Sequence, residues 1–183
     1  MSTLEKIVLI TPQEYLEGEQ YSDVRHEYVA GHVYAMVGAS RAHNLIAGNF
    51  HATLHPHLRG KPCRVFISDM KVHLADAFYY PDVMVACDSA DRHDYYCERP
   101  QLIVEVISPS TEARDALEKR VAYQSLESLH EYLLVAQDKM EVRIYRRANE
   151  DWELETSTEN DHVRLTSVGL EIPIEQVYED VWS

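Results

Sequence analysis

The sequence predicts an α+β fold, a central mixed sheet flanked by helices, in one domain spanning residues 1–183. Three observations predict it. Leu102 to Ile107 is apolar on both faces, the pattern of a strand covered on both sides. A helical pattern from about Glu112 to Leu126 follows it, and another apolar strand, Glu131 to Ala136, comes next. Alternating segments with turn residues between them lie towards both ends of the chain, which adds hairpin strands to the core. A chain of 183 residues is long enough for one substantial core, and no internal repeat or low-complexity linker divides it.

The elements follow in order. Thr11-Pro12-Gln13-Glu14 has the capping-box pattern with proline at the first helical position, so a short helix starts there and ends near Gly18. Arg25 to Val37 reads as a hairpin turning at Ala30-Gly31. Arg41 to Leu58 is predicted to be a helix with Leu45, Ile46, Phe50 and Leu54 on its apolar side, perturbed at Pro56. Its His51 and His55 have a metal-compatible i, i+4 spacing but no third ligand at hand, and His43 reads as a surface or packing residue at the helix start. Arg64 to Ile67 and Lys71 to Leu74 are strands, with Ser68-Asp69 as a turn or bulge between them. Tyr79 to Ala86 reads as one strand, with Asp82, Met84 and Ala86 sharing a face. Asp88 to Pro100 reads as a polar, aromatic flap. Beyond Ala113, Leu117 and Val121, taken as the core stripe of the second long helix, come a hairpin to Arg146 and short strands at Trp152–Thr156 and Val163–Thr166. A last helical turn or two is expected from Pro173 to Asp180.

Composition narrows the function. No apolar run resembles a signal peptide or reaches the ~20 residues needed to span a bilayer, so a membrane partner is not expected. Cys63, Cys87 and Cys97 share no CxxC spacing, which reads as reduced thiols in a cytoplasmic protein and argues against a cysteine zinc site. The net charge of −14 opposes broad nucleic-acid affinity. From Asn149 onward ten acids face Arg164 alone, so the first 148 residues carry only −5 of that charge.

Two carboxylates stand where strands should not tolerate them. Glu105 lies in the middle of the strand from Leu102 to Ile107, where an unpaired anion costs several kcal/mol on the order-of-magnitude scale of buried charges. Asp82 follows Pro81 in the strand upstream. Asp115, Lys119 and Tyr123 fall at i, i+4, i+8 along one side of the helix, so a strand carrying an acid runs into a helix carrying a lysine. Glu27 stands at the start of its own strand, where a solvated strand end is the plainer reading.

These residues carry a resemblance. Tyr-Pro-Asp-Val-Met-Val, then Pro-Gln-Leu-Ile-Val-Glu-Val-Ile-Ser-Pro-Ser-Thr, then Asp115, Lys119 and Tyr123, then Glu131-Tyr132-Leu133-Leu134-Val135 resemble the Uma-two family of restriction-endonuclease-like proteins, within the PD-(D/E)xK nuclease superfamily. The resemblance runs from Thr11 to the segment from Ile174 to Tyr178. It implies a restriction-endonuclease-like core, α/β/α-like in its layers, and an endonuclease that hydrolyses DNA phosphodiesters with Mg²⁺ or Mn²⁺. By that resemblance Asp82 and Glu105 are the motif acids, and Glu27 adds a further acid. The superfamily lysine belongs two residues after the acid, where this chain has Ile107, so the resemblance moves that role to Lys119.

Phosphodiester hydrolysis needs an activated water and stabilisation of the charge that develops on phosphorus, and a hard divalent cation held by carboxylates supplies both. Asp82, Glu105 and the carbonyl of Val106 would hold the ion, and Lys119 would act on the attacking water or a phosphate oxygen. Ser108, Ser110 and Thr111, at the expected helix start, would bond a phosphate. Asp115 would pair with Lys119, and Tyr123 would pack. A homodimer would suit cleavage of both strands. The rival readings are an inactive nuclease-fold binding module, favoured by the acidity, and a hydrolase of a small phosphorylated substrate. On the plainest reading, Glu105 and Lys119 form only a buried ion pair.

Overall fold

Strand pairing builds the molecule from two sheets and a hairpin, in a computed structural model that describes residues 9–108 and 115–183, with the side chains of 115 and 116 outside that description. The larger sheet has six strands in the order β11-β10-β9-β8-β6-β3: Asp151–Thr158, Glu141–Ala148, Glu131–Ala136, Pro100–Ile107, Val83–Ala86 and Arg64–Ile67. Within this sheet, among the described residues, only β8 and β9 run parallel, and helix α3 (Asp115–Gln124) lies between them in the chain. Parallel neighbours require such a crossover, because a tight turn cannot reverse the chain twice. The fold is therefore α+β, with mixed sheets and four helices among the described residues, as expected.

Alternation along β8 sorts its side chains into two cores. Leu102, Val104 and Val106 join the core beneath helix α2 (Arg41–His57), helix α4 (Ile174–Val177) and the hairpin of β12 (His162–Leu165) with β13 (Leu170–Pro173). Ile103 and Ile107 join the other core, which α3 and the second sheet cover. That second sheet has the order β2-β1-β5-β4-β7: His32–Ala35, His26–Val29, Ala77–Tyr79, Lys71–Leu74 and Tyr96–Cys97. Glu105 alternates with Ile103 and Ile107, so it faces the space between the two sheets.

The capping box forms. Glu14 N–H donates to Thr11 Oγ1 at 3.2 Å, Thr11 N–H donates to Glu14 Oε2 at 2.7 Å, and helix α1 runs over Pro12–Glu19. The first hairpin turns at Ala30 and Gly31, at φ +47° and +88°. Positive φ at both central residues is what a tight turn between twisted strands requires.

Several expectations need correction. Tyr79 to Ala86 is not one strand: Tyr80, Pro81 and Asp82 carry the chain from β5 in one sheet to β6 in the other. Likewise β3 and β4 belong to different sheets, and the step between them places Ser68 at φ +57° and pairs Asp69 with Arg25 at 2.6 Å. The expected core stripe of α3 faces outward, since Leu117 and Val121 are exposed while Tyr123 is fully buried. Covering a polar pocket, the helix turns its lysine and tyrosine inward. Cys63 and Cys87 form a disulfide instead of standing as reduced thiols. The pairing Arg64↔Ala86 sets them opposite each other at the end of the β3–β6 ladder, a proximity their separation of 24 residues hides. Cys97 keeps its thiol, whose pKa burial pushes up. The segment read as a flap is tied down by Asp91, whose Oδ2 accepts from Glu98 N–H at 2.8 Å and Arg99 N–H at 2.7 Å. Among the described residues no helix is long and apolar enough to cross a membrane.

Candidate active site

The antiparallel pairing Val83↔Val104 brings Asp82 opposite Glu105, one step past the last paired residues. Side chains directly opposite on neighbouring strands share a face, with Cβ atoms ~5 Å apart. The two acids, 23 residues apart in sequence, therefore converge because β6 and β8 are neighbours, as the sequence led us to expect. Asp82 is held by its backbone surroundings: Oδ2 accepts from Val106 N–H at 2.7 Å. Pro81 breaks the ladder there, and Asp82 takes the donor that the strand would otherwise have paired.

Glu105 is buried, and its Oε1 accepts from the Tyr123 hydroxyl at 2.8 Å. Burial, opposed by the Lys119 ammonium and reinforced by Asp82 and Glu27, pushes its pKa up to about 7. Lys119 does reach this pocket. Its Nζ lies 2.6 Å from Glu27 Oε1 and 3.8 Å from Glu105 Oε1, and 5.5 Å from the centre of the Tyr79 ring. Burial works to lower the pKa of Lys119, but the charges of Glu105 and Glu27 outweigh it and raise it. The group therefore stays an ammonium at neutral pH and acts as a fixed positive charge.

Glu27 is not a solvated strand end. Strand β1 lies next to β5, which leads into Tyr80 and Asp82, and Glu27 Oε1 also accepts from Tyr80 N–H at 3.4 Å. Two residues were undervalued in the sequence. Tyr123 packs against Tyr79 and Tyr132, and it also donates to the buried acid. Its place four residues after Lys119 was the available signal. His43, in the first turn of α2, puts Nε2 3.2 Å from Asp82 Oδ2. Burial alone would lower its pKa, yet the hydrogen bond to Asp82 and that residue's charge raise it. Nothing local to His43 announced this contact, which spans 39 positions.

Ser108 directly follows β8, while Ser110 and Thr111 lie outside the described residues, as does the Asp115 side chain. His51 and His55 stack on each other at 5.6 Å. Among the described residues no three carboxylate, imidazole or thiolate groups already stand as a ready ligand set for an ion. The chemistry of the pocket nevertheless fits a hard divalent cation. Three carboxylates (Asp82, Glu105 and Glu27) outnumber the one ammonium, and burial, with Asp82 and Glu27 adding to it against Lys119, raises the pKa of Glu105. Among the described residues, Asp82 Oδ2 accepts from Val106 N–H and Glu105 Oε1 from the Tyr123 hydroxyl, so both motif acids are held in place at the pocket.

Comparisons with known proteins show what the chain is similar to. The family model Uma2, described as putative restriction endonuclease, matches residues 12–175. The uncharacterized protein slr1290 of Synechocystis is 35% identical over 173 residues, covering 92% of this chain and 91% of that protein. The uncharacterized protein sll1609 of the same organism is 30% identical over 147 residues, 78% of this chain and 83% of its own. Among solved structures, a putative nuclease from Anabaena variabilis matches with a TM-score of 0.75 at 18% identity, over 94% of this chain and 99% of that one. At that identity the likeness speaks for the fold.

Proposed function

The chain belongs to the Uma2 family of putative restriction endonucleases, and from that membership and the pocket we propose that it is a metal-dependent endonuclease hydrolysing DNA phosphodiester bonds. One observation carries the reading: Glu27 of β1, Glu105 of β8, Asp82 of the link between β5 and β6, and Lys119 of α3 meet in one recessed cluster with more carboxylates than ammonium groups. Asp82 and Glu105 are the residues to hold Mg²⁺ or Mn²⁺, with the carbonyl of Val106 beside them, since Pro81 has no N–H to offer it. When bound, such an ion polarises a phosphoryl oxygen and lowers the pKa of a coordinated water.

The protein's own groups do the rest. Lys119, whose ammonium form Glu105 and Glu27 favour, stabilises negative charge developing on a nonbridging phosphate oxygen or orients the water, and serves poorly as a base. Glu27 positions that ammonium through the 2.6 Å ion pair, which compensates for a lysine borne on a helix instead of on β8. Tyr123 fixes the Glu105 carboxylate. Ser108, Ser110 and Thr111, between β8 and α3, would contact phosphate oxygens. A homodimer would let two such pockets cut both strands of a duplex.

The test is a cleavage assay on plasmid and oligonucleotide DNA with Mg²⁺ or Mn²⁺, alongside Asp82→Ala and Glu105→Ala. Metal-dependent cutting that both substitutions abolish supports the proposal. Cutting that survives both comes from a contaminant and removes the support. The net charge of −14 favours a second reading, hydrolysis of a small phosphorylated substrate, because a duplex-binding surface should be basic. Competition between oligonucleotides and nucleotides for the metal-loaded protein separates the two.

A further inference from the structure

The two-carboxylate reading leaves one residue of the pocket without a task. His43 is the third residue of α2, and the first turn of that helix is lashed in place. Ser40 Oγ accepts from His43 N–H at 3.1 Å and itself donates to Gln137 Oε1 at 2.5 Å, on the loop after β9. The imidazole is thereby carried to the edge of the sheet where Asp82 leaves the ladder. Its Nε2 stands 3.2 Å from Asp82 Oδ2, and its side chain is 23% exposed. The charge of Glu105 reaches the ring as well as that of Asp82.

That separation has a geometric meaning. Two donor atoms at right angles on one octahedral ion, with bonds of about 2.1 Å, stand about 3 Å apart. The Asp82 and His43 atoms are spaced as one edge of such an octahedron, with Glu105 on the neighbouring strand. Today a proton bridges the pair, and a cation between them would take its place. Imidazole nitrogen is a good ligand for first-row transition ions, whereas Mg²⁺ keeps to oxygen. Resting on the metal-dependent reading above, we propose that His43 is a direct nitrogen ligand of the catalytic ion, so that the pocket takes Mn²⁺ in preference to Mg²⁺.

The experiment is pulsed electron paramagnetic resonance of the full chain loaded with less than one equivalent of Mn²⁺, together with Mn²⁺ and Mg²⁺ titrations. The wild type should show ¹⁴N coupling from a coordinated imidazole. His43→Gln, which can keep a hydrogen bond to Asp82, should lose that coupling and bind Mn²⁺ at least roughly tenfold more weakly, with Mg²⁺ affinity nearly unchanged. His51→Ala, two turns further along the same helix and stacked on His55, should keep the coupling. Mn²⁺ bound without nitrogen coupling, or coupling that disappears with His51, overturns the role of His43 and leaves the two-carboxylate site standing. No Mn²⁺ uptake by the wild type overturns both. The wild-type spectrum decides the point even if His43→Gln does not fold.

Discussion

Two buried glutamates on adjacent parallel strands have opposite surroundings. Glu131 opens β9 and is fully buried, and its two oxygens receive the Arg146 guanidinium together with the backbone and hydroxyl donors of Thr166 and Ser167. Glu105, in β8 next door, has one hydroxyl donor from Tyr123, an ammonium 3.8 Å away, and two further carboxylates close enough to raise its pKa. A carboxylate whose lone pairs are all taken up is part of the scaffold, since it has nothing left to offer a ligand. One that is buried beside two other carboxylates, with its pKa raised, gains from a nearby cation. The same residue type thus serves the scaffold in one place and lines a charge-rich pocket in the other.

The contrast can be broken by substitution. Glu131→Ala would strand the four backbone and hydroxyl donors of Thr166 and Ser167 and leave Arg146 to Glu155 alone among the acids, and should cost about 3–5 kcal/mol, lowering Tm by on the order of 10 °C in a thermal melt. Metal uptake by the molecules that remain folded should be unchanged. A loss of stability under ~1 kcal/mol would put Glu131 in the same class as Glu105.

Glu105→Gln should act in the other direction and with a pH signature. The folded pKa of about 7 lies above the ordinary 4.5, so between these values the folded chain holds a proton that the unfolded chain has lost. Wild-type stability relative to Glu105→Gln should therefore fall as pH rises from about 4.5 to about 7, by on the order of 1–3 kcal/mol. Chemical denaturation of both proteins across that range checks it, and a flat difference would show that Glu105 is not strained. Metal affinity should rise over the same range, because the ion needs the carboxylate. The smallest effect belongs to Tyr123→Phe. Without its hydroxyl the Glu105 pKa should climb further, and metal affinity at pH 7 should weaken by about tenfold or less, as one charge-assisted hydrogen bond would imply. Titration calorimetry on the variant measures it.

Much of this was legible in the sequence. A carboxylate inside an apolar strand announces itself, because burying it is costly, and Glu105 needed no homologue to stand out. Asp82 drew notice as an acid beside Pro81 in a strand pattern, with its role implied only by the family resemblance, and helix α1 followed from Thr11, Pro12 and Glu14. What escaped depended on contacts far apart in the chain. Glu27 and Lys119 meet across 92 positions, which turns a residue with an innocuous local setting into a buried partner. His43 looked like a helix start because its helix gives no hint of the sheet edge beside it. The apolar stripe of α3 misled for a physical reason: where a helix covers a polar pocket, its lysine and tyrosine turn inward and Leu117 and Val121 are left outside. The split of the sheet at Tyr80-Pro81-Asp82 was equally hidden, since both halves carry strand character.

Calorimetric titration of the wild type with Mg²⁺ and Mn²⁺, set beside Asp82→Asn and Glu105→Gln, tests the central claim most directly. The account predicts uptake at one site per chain, lost when either acid is neutralised. Absence of binding to the wild type, or binding that both substitutions leave intact, would contradict it.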